Sequence, residues 1–232
     1  MSYDITEYKN TIKDTKKWLA DGLSRSTGKK FLMAMTGLFL ITFLMVHLFG
    51  NLLLLVNDNG ISFNEYSKNM SHSKIIRVME IFLFTGFIFH IGFGATVSIQ
   101  NRLARKIPYA VIKSSETSSF FSRYMFHTGS LVFIFLLLHL NSFFIPHRVL
   151  ESGLSMYESA LIVFHNPLFV LFYIFAMILL SFHLMHGFQS AFQSLGIHHN
   201  KYTPSIKLLG RFFALVVPLV FAVIPVYIYF WK

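Results

Sequence analysis

The chain of 232 residues contains no cysteine. This absence excludes disulfide bonds, thiolate metal sites, iron–sulfur ligation by this chain and covalent attachment of a c-type haem. Charged residues are also scarce, at 13%, whereas hydrophobic residues make up 54%. A water-soluble domain of this size needs more polar surface than that, so the composition indicates that most of the chain is solvated by lipid.

Charge is almost missing from five apolar runs, each long enough to cross a hydrocarbon core of about 30 Å as a helix. These runs are Phe31 to Val56, Glu80 to Gln100, Tyr124 to Phe144, Leu161 to Ala191 and Phe212 to Trp231. Their only charged residue is Glu80, at one rim. The runs lack the alternation of barrel strands, and a helix satisfies its own backbone in lipid. The sequence therefore predicts an all-α integral membrane protein with five transmembrane helices.

The basic residues are distributed unevenly between the two sides of the predicted spans. Fifteen of the twenty Lys and Arg residues lie in the N-terminal segment and in the second and fourth connections, and five lie on the other side. The positive-inside rule predicts a cytoplasmic N-terminus and a C-terminus on the opposite side. We expect residues 1–30 to form a cytoplasmic or interfacial segment and residues 31–232 the membrane domain. Basic residues beside apolar runs do not favour nucleic-acid binding.

Histidine is the metal-binding residue that occurs inside the apolar runs. At 1.5 Å per residue, His47 and His139 both lie ~23 Å from the cytoplasmic edge. His90 and either His183 or His186 lie ~13 to 18 Å from it. One histidine on each of four successive spans, at two shared depths, is typical of two bis-histidine haems in a helical bundle. The alternative interpretation is that each is a hydrogen-bonded structural residue.

A short repeat supports the pairing of the deeper histidines. Thr36-Gly37 precedes His47, and Thr128-Gly129 precedes His139, by the same offset. Eleven residues are close to three turns, so each threonine shares a face with its histidine and lies ~16 Å nearer the cytoplasm. Glycine at that level would let a flat macrocycle approach the backbone. Alternatively, the small residues serve only close helix packing.

Three stretches carry a family resemblance that covers nearly the whole chain. They are SxxKKFLMAMTGL at Ser26 to Leu38, HLFGNL at His47 to Leu52 and HGFQSAFQSLG at His186 to Gly196. With five spans in this order, the chain resembles the cytochrome b subunit of succinate dehydrogenase or fumarate reductase of the single-chain, dihaem type. The fold that the resemblance implies is a five-helix bundle that binds two noncovalent haem b groups.

The resemblance also implies the ligand sets. His47 and His139 would hold the haem distant from the soluble subunits, and His90 and one histidine of the fourth span would hold the nearer one. Helix geometry leaves His183 and His186 open, because they differ by less than one turn. The family's ligand is followed directly by glycine, as in His186-Gly187, so the resemblance selects His186.

The activity that the resemblance implies is electron transfer, without catalytic residues in this chain. Dicarboxylate chemistry would occur on a partner flavoprotein subunit, and electrons would pass through a partner iron–sulfur subunit. The chain would connect them to quinone, expected to be menaquinone, as the quinone-reactive subunit of the oxidoreductase. The expected location is the cell inner (cytoplasmic) membrane, with oligomers of the complex allowed. The direction, toward succinate oxidation or fumarate reduction, stays open.

Quinone chemistry needs polar, proton-carrying groups near one haem edge. On the side opposite the cytoplasm, such groups gather around the mouth between the first two spans. The candidates for the quinone region are Glu65, Tyr66, Arg77 and Glu80. No carboxylate lies deeper within the runs, so the sequence indicates no acidic proton relay across the membrane.

Two other functions compete with this interpretation. One is the haem b membrane subunit of a formate dehydrogenase, hydrogenase or nitrate reductase, which the HGFQSAFQSLG stretch and the Thr-Gly repeat disfavour. The other is a transporter that uses the histidines as a proton relay. Five spans without an evident inverted repeat disfavour it.

Overall fold

A computed structural model describes residue 22 and residues 25–103, 123–150, 153–197 and 199–232. Within these ranges every regular element is helical, and no strand occurs. The α-helices are α1 (Ser26–Leu52), α2 (Ile61–His72), α3 (Lys74–Leu103), α4 (Met125–His139), α5 (Ile145–Arg148), α6 (Met156–Phe164), α7 (Pro167–Ser194) and α8 (Thr203–Trp231). A 3₁₀ turn, Leu53–Leu55, extends α1, and a π-helical turn, Leu140–Phe144, joins α4 to α5.

Five helical segments of the described chain are long and apolar enough to cross a membrane, which confirms the predicted number. They are α1 with its 3₁₀ turn, α3, α4 through α5, α7 and α8. Most of the predicted interfacial segment 1–30, together with residues 104–122 of the second connection, falls outside the described residues. Residues 26–30 of that segment belong to α1.

The predicted span Leu161 to Ala191 is wrong at its start, because the structure divides this run into α6 and α7. The break falls at Asn166, whose backbone is extended (φ −88°, ψ 115°) and whose side chain accepts a hydrogen bond from the N–H of Leu168. Pro167 follows and has no N–H to continue a helix, and it disfavours helical geometry in the residue before it. Hydropathy alone does not detect such a break.

Helix α2 was not among the predicted spans, because its sequence is polar on one side. Asp58 lies two residues before its N-cap, Gly60, and accepts hydrogen bonds from the N–H of Gly60 at 3.0 Å and the N–H of Ser62 at 2.8 Å. The bonds from Ser62 contribute most to holding the pKa of Asp58 below its ordinary value. Asn64 Oδ1 accepts the N–H of Tyr157 at 3.0 Å and ties α2 to α6.

The π-helical turn directly follows His139. Pro146, two residues beyond it, has no N–H to donate in the regular α-helical ladder. A wider turn before a proline allows the chain to continue as one span up to Arg148 without a sharp break. The turn therefore connects a histidine inside the bundle with an arginine at its end.

Helix α7 is in contact with α1, α4 and α8, and α3 lies on α1. Lys29 at the start of α1 donates to Gln100 at the end of α3, and Lys232 after α8 donates to Val56 after α1. The buried core lies toward the end of the bundle that carries α2 and α6. By contrast, α3 and the α4-to-α5 segment each bury only 6% of their most apolar stretch. These outward faces need an apolar environment.

Candidate functional site

Four histidines meet in two pairs inside the bundle, and each pair joins two different helices. His47 of α1 and His139 of α4 have ring centroids 5.8 Å apart, with planes at 89°. His90 of α3 and His183 of α7 have centroids 6.2 Å apart, with planes at 80°. We call these the first and second pairs. The combination of spans and the two levels agree with the depths counted from the sequence.

Aromatic rings surround the first pair. Phe43 stacks on His47 at 5.3 Å, and Phe135 stacks on His139 at 5.7 Å between centroids. Both stacking residues precede their histidine by four positions, which places them on the same face of the helix. The Oη atom of Tyr173, on α7, lies 3.1 Å from Nδ1 of His139. The first pair thus has apolar walls and one hydroxyl partner.

The second pair is surrounded by small residues and backbone. His90 Nδ1 lies 3.3 Å from the carbonyl oxygen of Met33 and 3.5 Å from Oγ1 of Thr36. His183 Nδ1 is buried and has no hydrogen-bond partner within the described part of the chain. Burial of a polar nitrogen without a hydrogen-bond partner costs free energy, so this ring nitrogen could still accept or donate a bond.

The two Thr-Gly dipeptides make equivalent contacts with the second pair. A Cβ added at Gly37 would lie 3.2 Å from Cε1 of His90, and one added at Gly129 would lie 3.2 Å from Cε1 of His183. The structure places both glycines at the level that the eleven-residue spacing predicts. Thr36 and Thr128 donate their hydroxyl protons to carbonyls of their own helices, so the threonines are satisfied locally.

The structure places His183, and not His186, opposite His90. His186 lies three residues further along α7 and is half-buried. Its neighbour Gly187 faces Met125, since a Cβ there would lie 3.4 Å from Cε of that residue. The geometry of the bundle therefore favours His183 as the partner of His90. Ligation by His186, which the resemblance selects, stays a prediction.

The chemistry of the donor set limits what the pairs can hold. No group of three or more His, Cys, Asp or Glu side chains suited to a metal ion occurs among the residues described. A metal ion without a macrocycle would need about four protein ligands. The haem macrocycle provides four nitrogen ligands to its iron, so the protein needs to provide only two. Imidazole nitrogen binds a metal at roughly 2 Å, so two axial rings on one iron have centroids about 6 Å apart. The number of histidines in each pair and their spacing fit a bis-histidine haem.

The residues predicted for the quinone region belong to α2 and to the start of α3, at the end of the bundle that carries α2 and α6, which we call the far end. Glu80 Oε2 accepts a hydrogen bond from Arg148 Nη2 at 3.0 Å and lies 3.8 Å from Arg77 Nη1. Tyr66 packs against Gly50, where a Cβ would lie 2.5 Å from the ring, and Glu65 is exposed. Arg148 was not among the candidates. Its only sequence signal is a basic residue directly after an apolar run.

Comparison of the chain with known protein families, curated proteins and solved structures finds no match.

Proposed function

We propose that the chain is the dihaem cytochrome b subunit that anchors a succinate:quinone oxidoreductase to a membrane. The observation that carries the haem assignment is the arrangement of four histidines as two cross-helix pairs, with ring centroids 5.8 and 6.2 Å apart. Unrelated structural histidines have no reason to meet one per helix at two levels. Two haem b groups would supply one-electron redox chemistry at these levels.

The side chains have distinct roles in this proposal. His47 with His139 would hold one haem, and His90 with His183 or His186 would hold the other, each through two imidazole nitrogens. The stacked phenylalanines would exclude water from the first pair. A hydrophobic surrounding lowers the local dielectric constant and thereby affects the redox potential of a bound iron. Gly37 and Gly129 leave room at the second pair that any larger side chain would occupy.

The exposed apolar faces support insertion in a membrane. Long hydrophobic side chains such as Ile81, Phe82 and Ile88 point outward from α3 and are at least 60% exposed. The uneven distribution of Lys and Arg supports a cytoplasmic N-terminus and far-side positions for α2 and α6. The cell inner membrane is the location that fits a quinone-linked complex.

The particular enzyme rests on the resemblance of the motifs at positions 26–38, 47–52 and 186–196. That resemblance supports a flavoprotein and an iron–sulfur subunit as partners and menaquinone as the quinone. Polar groups at the far end, including Glu80, Arg77 and Arg148, support a quinone region near the first pair. This chain would conduct electrons, and the dicarboxylate chemistry would take place on its partner.

The first test is spectroscopic. The purified full chain should give b-type bands in a reduced-minus-oxidised spectrum, and a pyridine haemochrome assay should return two haem b per chain. A folded preparation from haem-replete cells without these bands would overturn the proposal.

The second test separates this complex from other quinone-linked oxidoreductases. The native complex, purified through a tag on this chain, should contain a flavoprotein and an iron–sulfur protein. It should reduce quinone with succinate or reduce fumarate with quinol. A haem-containing complex that oxidises formate or hydrogen instead would retain the haem assignment and refute the named enzyme.

A further inference from the structure

We infer that Tyr173 is a positioning residue for His139 and sets the redox potential of the haem between His47 and His139; this inference rests on the proposed function. Tyr173 Oη lies 3.1 Å from His139 Nδ1. A histidine that binds a metal through Nε2 carries its proton on Nδ1, and the acceptor of that proton fixes the ring and raises its basicity. Tyr173 is in position to be that acceptor.

Packing fixes the orientation of the phenol. Tyr173 is only 7% exposed and belongs to the core at the far end of the bundle. Its ring meets Phe135 edge-on at 5.0 Å and Phe164 edge-on at 4.9 Å. These contacts involve the ring and leave the hydroxyl free to bond the imidazole. Replacement by phenylalanine therefore removes one oxygen and retains the packing.

The partners of the histidines differ between the two pairs. His139 has a phenol as its Nδ1 partner, whereas His90 has the backbone carbonyl of Met33. A backbone acceptor cannot be changed by substitution, but a phenol can. Tyr173 precedes His183 on α7 by ten residues, or ~15 Å. One helix thus serves both pairs, and the phenol reaches only the first.

The direction of the effect follows from ligand basicity. An imidazole that donates its Nδ1 proton to an acceptor is a stronger electron donor, and a stronger donor favours the ferric state. Loss of the acceptor should therefore raise the midpoint potential of the haem at the first pair. The potential of the haem at the second pair should stay unchanged.

The test is a redox titration of the haem bands in the full complex carrying Tyr173→Phe. The matched control is Tyr157→Phe, because Tyr157 is 8% exposed in the same core and its ring packs against Gly60. We expect two haems in both variants, with one midpoint raised in Tyr173→Phe and none in Tyr157→Phe. The component that shifts should be the one that His139→Ala lacks.

The outcomes separate the two proposals. Wild-type protein without haem refutes the proposed function, whereas two haems with unchanged potentials in Tyr173→Phe refute this inference alone. A shift confined to the haem of the second pair also overturns it. If Tyr173→Phe loses haem, 3-fluorotyrosine at position 173 decides the matter, since it retains the shape of the side chain and weakens the oxygen as an acceptor. The same midpoint should rise, and an unchanged value refutes the inference.

Discussion

Gly37 on α1 lies against the imidazole of His90 on α3, so closely that a Cβ at position 37 would stand 3.2 Å from Cε1 of the ring. Gly129 on α4 has the same relation, at the same distance, to His183 on α7. Each glycine therefore acts on a neighbouring helix. The Thr-Gly dipeptides on α1 and α4 therefore contact the second pair. In the sequence, however, each precedes a histidine of the first pair by the same number of residues.

If the second pair holds a haem, as we propose, replacement of Gly37 by valine should displace His90 and abolish the binding of that haem. The branched side chain would need the space that the ring occupies, while the first pair lies about ten residues further along α1. We expect haem content to fall from two per chain to about one. The matched control is Gly92→Val on α3, where a Cβ would meet nothing within 4 Å. Equal haem contents in the two variants would contradict the assigned role of Gly37.

Replacement of either histidine of the first pair should remove the same haem. In the proposed function His47 and His139 hold the same haem, so both His47→Ala and His139→Ala should lose one spectral component and retain the other. His127→Ala is the control, since His127 is exposed on α4 and belongs to neither pair. Haem content and reduced spectra provide the measurement. A folded His47→Ala protein that still holds two haems would refute the pairing.

The choice between the two histidines of α7 can be decided directly. The contact between His183 and His90 predicts that His183→Ala loses the haem of the second pair. His186→Ala should then retain both haems. The resemblance to the succinate dehydrogenase family predicts the reverse. Spectra of the two purified variants distinguish these expectations. Loss of haem in His186→Ala alone would show that His186 is the ligand.

Removal of the arginine that pairs with Glu80 should destabilise the far end of the bundle. Arg148 and Glu80 are only 19% and 20% exposed, and the hydrogen bond between them carries charge on both sides. Arg148→Ala should lower the free energy of unfolding by about 1.5–3 kcal/mol. Arg77→Ala is the control, because the Arg77 side chain is 57% exposed and 3.8 Å from the carboxylate. It should cost less than about 1 kcal/mol. Similar losses in denaturant titrations in detergent would contradict this ranking.

The absence of cysteine provides a simple test of orientation. Lys68→Cys on α2 and Asn200→Cys before α8 each introduce one exposed thiol at opposite ends of the bundle. With a cytoplasmic N-terminus, a membrane-impermeant maleimide should label position 68 in cells whose inner membrane is intact and whose outer layers admit the reagent. Position 200 should react only after lysis. The opposite pattern would invert the orientation and exchange the sides of the two pairs.

The sequence predicts the features of this fold that depend on position along a helix. Five apolar runs are sufficient for five spans, and a constant rise per residue brings His47 level with His139. The break at Asn166 was not predicted, because a hydropathy average does not take account of the missing N–H of Pro167. Helix α2 was not predicted, because it is amphipathic and lies outside the apolar runs.

Features that depend on helix rotation could not be predicted in this way. His183 and His186 differ by three residues, so depth does not separate them, and the orientation of α7 determines which one faces His90. The contact between Tyr173 and His139 and that between Arg148 and Glu80 likewise depend on which face of one helix meets another. Contacts of this kind are set by packing across the whole bundle.

The π-helical turn between α4 and α5 allows this span to contain one more residue than an α-helix of the same total rotation. Each residue of an α-helix turns the chain by roughly 100°, and a π-helix has more residues in each turn, so the five residues Leu140–Phe144 turn the chain about as far as four α-helical residues. Deletion of one residue within the turn, with α-helical winding restored, would therefore leave Arg148 facing Glu80 and His139 beside His47. The same deletion within α5 would rotate Arg148 by about 100° away from Glu80, so the span tolerates a change of length at the turn and not beyond it.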